Sequence, residues 1–92
     1  MNRDVLAARL EQVFDASPAE RRVVVRQAVD LHDSGRYASI HGTELTVDDV
    51  LDNLREAPDD LGVVERWNWW LGALHLAHEG FESFLVRRYR GD

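Results

Sequence analysis

One run of residues limits what this chain can fold into. From Val63 to Leu85 the apolar side chains recur at helical spacing, and the run holds all three tryptophans, Trp67, Trp69 and Trp70. Set out at about 100° per residue, Val63, Trp67, Trp70, Leu71, Leu74, His78, Phe81 and Leu85 share one arc. That is the i, i+3, i+4, i+7 pattern of a core-facing stripe. A second, narrower stripe lies opposite: Trp69, Ala73, Leu76 and Gly80, with Phe84 at its edge. Glu65, Asn68, Gly72, His75, Glu79 and Ser83 form a polar strip between them. A helix apolar on two faces has neighbours on two sides, or one neighbour and a partner chain. In so short a chain a second copy is the natural partner. Ala73 and Gly80 are small, which would let another backbone come close beside Trp69 and Leu76.

Glycine inside a helix costs about 1 kcal/mol relative to alanine. Gly80 therefore needs compensation within the helix, or it ends the helix as a left-handed cap. In the second case a short helix from Phe81 to Arg90 would follow. The periodicity runs on past Gly80, so one continuous or kinked helix to Leu85 is the favoured expectation.

The upstream chain supplies shorter helices to pack around this rod. The first spans about Asn2 to Asp15, with Leu6, Leu10, Val13 and Phe14 on one face and Ala7 at its edge. Ser17-Pro18-Ala19-Glu20 is a strong start signal: Ser17 accepts from the N3 amide, Pro18 suits N1, and Glu20 reaches back to complete a capping box. The second helix then runs to about Asp33, carrying Val24, Val25, Ala28, Val29 and Leu31 with His32 inside the arc, and Gly35 closes it. The short connection makes these two helices antiparallel neighbours. Between Arg36 and Leu45 the helical period fails and His41-Gly42 reads as a turn, so residues 36–45 are expected to form a short hairpin or a loop over the core. Thr46 caps a third helix whose inward residues are Val47, Val50, Leu51 and Leu54, with Asp48 and Asp49 favourably placed at its positive end. Ala57-Pro58-Asp59-Asp60 stops it. The expected fold is a single all-α domain over 1–92, a small bundle of three shorter helices around a long C-terminal helix.

Composition narrows the function classes. The chain has 17 acidic residues against 11 arginines, no lysine, and a net charge of −6. Its phosphate-repelling surface argues against nonspecific nucleic-acid binding. Short hydrated carboxylates without lysine's long apolar stem suit a protein working in high salt; a GC-rich genome would by itself also favour arginine over lysine. The chain has no cysteine, which leaves neither a disulfide nor a thiolate metal site. Glu65, Arg66, His75, His78 and Glu79 interrupt the best candidate for a membrane span. Met1-Asn2-Arg3-Asp4 lacks the apolar core of a signal peptide, and a cytoplasmic setting is the default expectation.

Three constellations compete for a functional role. His75, His78 and Glu79 sit at i, i+3 and i+4, where two imidazoles and a carboxylate can converge on a divalent metal. The order is not the H-E-x-x-H of a metalloprotease helix. The plainer reading makes His78 a core histidine and pairs His75 with Glu79 on the surface. The tryptophans would stack bases only beside a positive groove, and Asp59, Asp60 and Glu65 lie there instead. Trp67 and Trp70 are therefore expected in the core and Trp69 at a subunit interface, where tryptophan is enriched among hot spots. The arginine clusters Arg21-Arg22-Arg26 and Arg87-Arg88-Arg90 would grip an anion or nucleic acid, or else be solvated and paired with carboxylates. Ser17, Ser34, Ser39 and Ser83 lack a nucleophile elbow, and no Gly-rich phosphate loop is present, so no enzyme is expected.

The Lys-free composition, the run Glu65-Arg66-Trp67-Asn68-Trp69-Trp70-Leu71-Gly72, the Leu45-Thr46 cap and the Asp33-Ser34-Gly35-Arg36 turn give a resemblance. The chain is similar to the small Lys-free acidic proteins of halophilic archaea. That resemblance implies a high-salt cytoplasm and brings no activity, cofactor or catalytic residue with it. The functional expectation is a non-enzymatic protein-interaction domain, a homodimer or a partner of another protein, through Trp69, Ala73, Leu76 and Gly80. The alternatives are divalent-metal binding by His75, His78 and Glu79, and an Arg-based nucleic-acid regulator.

Overall fold

The computed structural model of the chain describes residues 1–87. Five α-helices and one closing 3-10 turn follow in order: α1 Arg3–Phe14, α2 Pro18–Ser34, α3 Arg36–His41, α4 Val47–Arg55, α5 Val63–His78, and the turn Glu82–Phe84. The fold is all-α, as the periodicity predicts. Among the described residues no helix is long and apolar enough to cross a membrane.

The helix ends follow the side chains available to satisfy them. Asn2 Oδ1 accepts from the Val5 amide at the start of α1. At α2 the Ser17 hydroxyl accepts from the Glu20 amide at 3.2 Å and the Ser17 amide donates back to Glu20 Oε1 at 2.9 Å. Thr46 and Asp49 form the same reciprocal box at α4. Removing the α2 cap with Ser17→Ala is expected to lower stability by about 1 kcal/mol, read as an earlier urea midpoint at unchanged slope.

Two expectations need correction. Residues 36–45 form neither a hairpin nor a plain loop: Arg36–His41 is a fourth short helix, set between left-handed Gly35 (φ 74) and Gly42 (φ 80). Its one turn was hidden because six residues are too few to show a period. Tyr37 is its buried residue and lies edge-on to Trp70, with ring centroids 6.4 Å apart. The second correction concerns the long rod, which ends at His78, seven residues before Leu85. Glu79 (φ 57) and Gly80 (φ 80) turn the chain back. A continuous helix over 63–85 would be about 35 Å long at 1.5 Å per residue, whereas the described residues together extend only 33 × 24 × 21 Å. Its last turns would have stood clear of the bundle. The reversal instead buries Phe81 and Phe84 in the core.

Packing is shared between two central helices. α2 touches α1, α3, α5 and the 3-10 turn, while α5 touches α2, α4 and that turn. Leu6 and Leu10 of α1, Val24, Ala28 and Leu31 of α2, Val50, Leu51 and Leu54 of α4, and Trp67 and Leu71 of α5 are all shut off from solvent. Each buried Leu or Val side chain contributes roughly 1.5–3 kcal/mol from the removal of apolar surface from water. No polar or charged residue is buried among the described residues.

Candidate functional site

α5 presents four consecutive residues, Trp67-Asn68-Trp69-Trp70, in four directions, because each step turns about 100°. Three of them act inside the molecule. Trp67 is fully buried, packs edge-to-face on Trp70 at 5.4 Å, and donates its indole N–H to the Phe84 carbonyl at 2.8 Å. Trp70 is buried between Trp67 and Tyr37. Asn68 acts as a detached peptide group: its Nδ2 donates to the Val86 carbonyl and its Oδ1 accepts from the Val86 amide, both at 2.8 Å. Trp67 and Asn68 together hold the returning chain against α5.

Trp69 is different. It is 42% exposed, and no ring stacking or hydrogen bond holds its indole among the described residues. Ala73, one turn on, is exposed, and Leu76 is 87% exposed. These three lie at i, i+4 and i+7 on one face, away from the buried Trp67, Trp70, Leu71 and Leu74. Gly80 does not continue that face. It falls beyond the helix end, and the Arg36 guanidinium occupies the place where a Cβ would stand, with Nη1 2.5 Å from that position. The predicted stripe is thus shortened to Trp69, Ala73 and Leu76.

A family model described as the WNWW domain matches residues 1–75. The chain belongs to the WNWW domain family. The four letters are those of Trp67-Asn68-Trp69-Trp70. No curated protein and no solved structure matches.

In this WNWW domain the histidines and Glu79 do not converge. His75 Nδ1 accepts from the Phe81 amide at 3.3 Å, which uses its lone pair to close the turn after α5. His78 is exposed rather than in the core, because α5 ends there; its ring is edge-on to that of His41, centroids 6.4 Å apart. His41 is itself stacked on Tyr37 at 4.0 Å. Glu79 is exposed and in the left-handed turn. Among the described residues no group of three or more His, Cys, Asp and Glu is arranged to hold a metal ion. His32 sits beside Asp33 at 3.0 Å, with Glu44 at 4.0 Å from its other nitrogen.

Sequence reasoning missed Arg66. Its guanidinium donates to three backbone carbonyls, Leu61 at 2.9 Å, Leu54 at 3.0 Å and Asp59 at 3.2 Å, and stacks over Phe14 at 5.1 Å. It ties the α4–α5 connection to the first turn of α5, and one of its acceptors is a carbonyl at the negative end of α4. The only available signal was an arginine beside a helix start, which charge counting treats as surface. Tyr37 is buried, stacked on His41 and edge-on to Trp70. Burial, with the Asp49 carboxylate adding to it, raises its phenol above the ordinary value of 10.0. Of the arginine clusters, Arg21 is tied to Glu11 at 3.1 Å and Arg87 to Glu82 at 2.9 Å. Arg88 and Arg90 lie outside the described residues.

Proposed function

We propose that this WNWW domain is a non-enzymatic interaction module that pairs with a second copy of itself through the solvent face of α5. The carrying observation is Trp69. Three of the four residues in its segment have internal partners, and the largest side chain without one stands on the surface beside exposed Ala73 and Leu76. Large apolar residues at 42% and 87% exposure, two of the four exposed large hydrophobics among the described residues, mark a face suited to a partner. A two-fold pairing of α5 on α5 would set Trp69 of one copy beside the partner's α5, with Ala73 giving room for close approach. Tryptophan is the residue type most suited to anchor such a contact.

The Lys-free composition and the net charge of −6 support a high-salt cytoplasm as its setting, in keeping with an origin among halophilic archaea. Two acidic copies repel at low salt. At about 1 M salt the screening length falls to roughly 3 Å, from about 10 Å at 0.1 M. Repulsion is then removed while apolar burial persists, so association should strengthen as salt rises.

Sedimentation of wild type and Trp69→Ala in molar salt tests the reading. Wild type is expected to dimerise, and Trp69→Ala to weaken the dimer at least about tenfold (about 1.4 kcal/mol) with unchanged helical content. Monomers in both samples, or equal dimers in both, would overturn it.

A further inference from the structure

A cleft of about 540 Å³ opens between α1 and α2, with no α5 residue in its lining, and arginines dominate that lining: Arg3 from α1, and Arg21, Arg22 and Arg26 from α2. Its size falls within the roughly 300–1,000 Å³ of small-ligand sites. Val25 and Ala7 give it an apolar floor, and Asp4 and Asp30 also line it. Arg21 is fixed by the Ala16 carbonyl and Glu11. Arg3, Arg22 and Arg26, like Arg36 and Arg66 elsewhere, make no ion pair among the described residues, whereas Arg9, Arg21, Arg55 and Arg87 do.

Carboxylates outnumber arginines 17 to 11 in the chain. Asp4 and Asp30 line the same cleft without pairing with Arg3, Arg22 or Arg26, so three unpaired guanidinium groups border it. Their positions are also unfavourable for the isolated helices. Arg3 opens α1, at a helix end whose dipole disfavours a cation. Arg22 and Arg26 are i, i+4 neighbours of like charge, a repulsive spacing on a helix surface. A dianion between them and Arg3 would reverse both penalties, and each guanidinium can present two parallel donors to phosphate oxygens.

We propose that the α1–α2 cleft binds a small phosphorylated organic molecule. Arg3, Arg22 and Arg26 grip its phosphate, Val25 and Ala7 receive its body, and Asp4 and Asp30 accept from its hydroxyl groups. The two carboxylates distinguish this site from a nucleic-acid track, where they would repel the neighbouring phosphates.

Titration of the full chain with adenosine monophosphate, followed by arginine side-chain NMR at low salt, tests this. The expected result is saturable shifts at Arg3, Arg22 and Arg26, weakened at least tenfold by the double change Arg22→Gln and Arg26→Gln and unaltered by Arg55→Gln on the remote α4. Adenosine binding as well as its monophosphate would overturn the phosphate assignment. Inorganic phosphate binding as tightly as the nucleotide would overturn recognition of the body. Equal shifts in the double variant, or none at millimolar ligand, would remove the site altogether. Backbone amide spectra of each variant show whether it is folded, and Arg22→Lys, which keeps the charge but not the fork, is expected to restore only part of the affinity.

Discussion

Replacing Trp67 by alanine is expected to lower the stability of this WNWW domain by about 3–5 kcal/mol. The side chain is fully buried, carries an edge-to-face contact with Trp70 and donates to the Phe84 carbonyl at 2.8 Å. Its removal opens a cavity between α5 and the returning chain. At roughly 0.05–0.15 kcal/mol of stability per residue, a domain of this size has about 5–14 kcal/mol in total. The change would therefore consume a large part of it and lower Tm by well over 10 °C, at about 4–8 °C per kcal/mol. Trp67→Phe separates the two contributions. It retains most of the ring but leaves the Phe84 carbonyl without its donor, at a cost of about 1–3 kcal/mol. Urea denaturation of the three proteins is the measurement. A Trp67→Ala loss below about 1 kcal/mol would show that α5 is not anchored through this side chain.

Asn68→Leu is expected to cost roughly 2–3 kcal/mol, with a local signature. Two hydrogen bonds, each worth about 0.5–1.5 kcal/mol net, disappear, and the Val86 amide and carbonyl lose their partners. Asn68→Asp should be no better, since a carboxylate can still accept from the Val86 amide but meets the Val86 carbonyl with an acceptor. Hydrogen exchange is the direct check. The Val86 amide should exchange faster in both variants, while the amides of α1 and α2 keep their protection relative to one another. Unchanged exchange at Val86 would mean that something other than Asn68 holds the returning chain.

Tyr37 adds a pH dependence at the alkaline end. Its phenol titrates above 10.0 in the folded domain, chiefly through burial. The folded state therefore holds that proton where the unfolded chain has begun to lose it. The associated stability is present in full below pH 10 and is lost as pH rises through the folded value.

How much of this was legible beforehand differs from residue to residue. Trp67, Trp70, Leu71 and Leu74 were placed in the core by spacing alone, since a helix of any length has one direction for each residue. The α2 start was legible because Ser17 and Glu20 satisfy each other's amides within four residues. Arg36–His41 was not, because a single turn has no period and its stability comes from setting Tyr37 against Trp70. His78 was assigned to the core on the premise that the rod continued, and it became exposed once the rod ended. Of the predicted interaction face, Trp69, Ala73 and Leu76 share the solvent side of α5, while Gly80 went to the turn under Arg36.

Local signals determined the helical class, the caps, and which face of each longer helix turned inward, because those depend on residues within a turn or two of one another. Three-dimensional packing decided the point where α5 stops, the return of Phe81 and Phe84, the clasp of Asn68 on Val86, and the reach of Arg66 to Leu54, twelve residues away. Each of those depends on how much room the other helices leave. A chain fragment read by itself carries no record of that room.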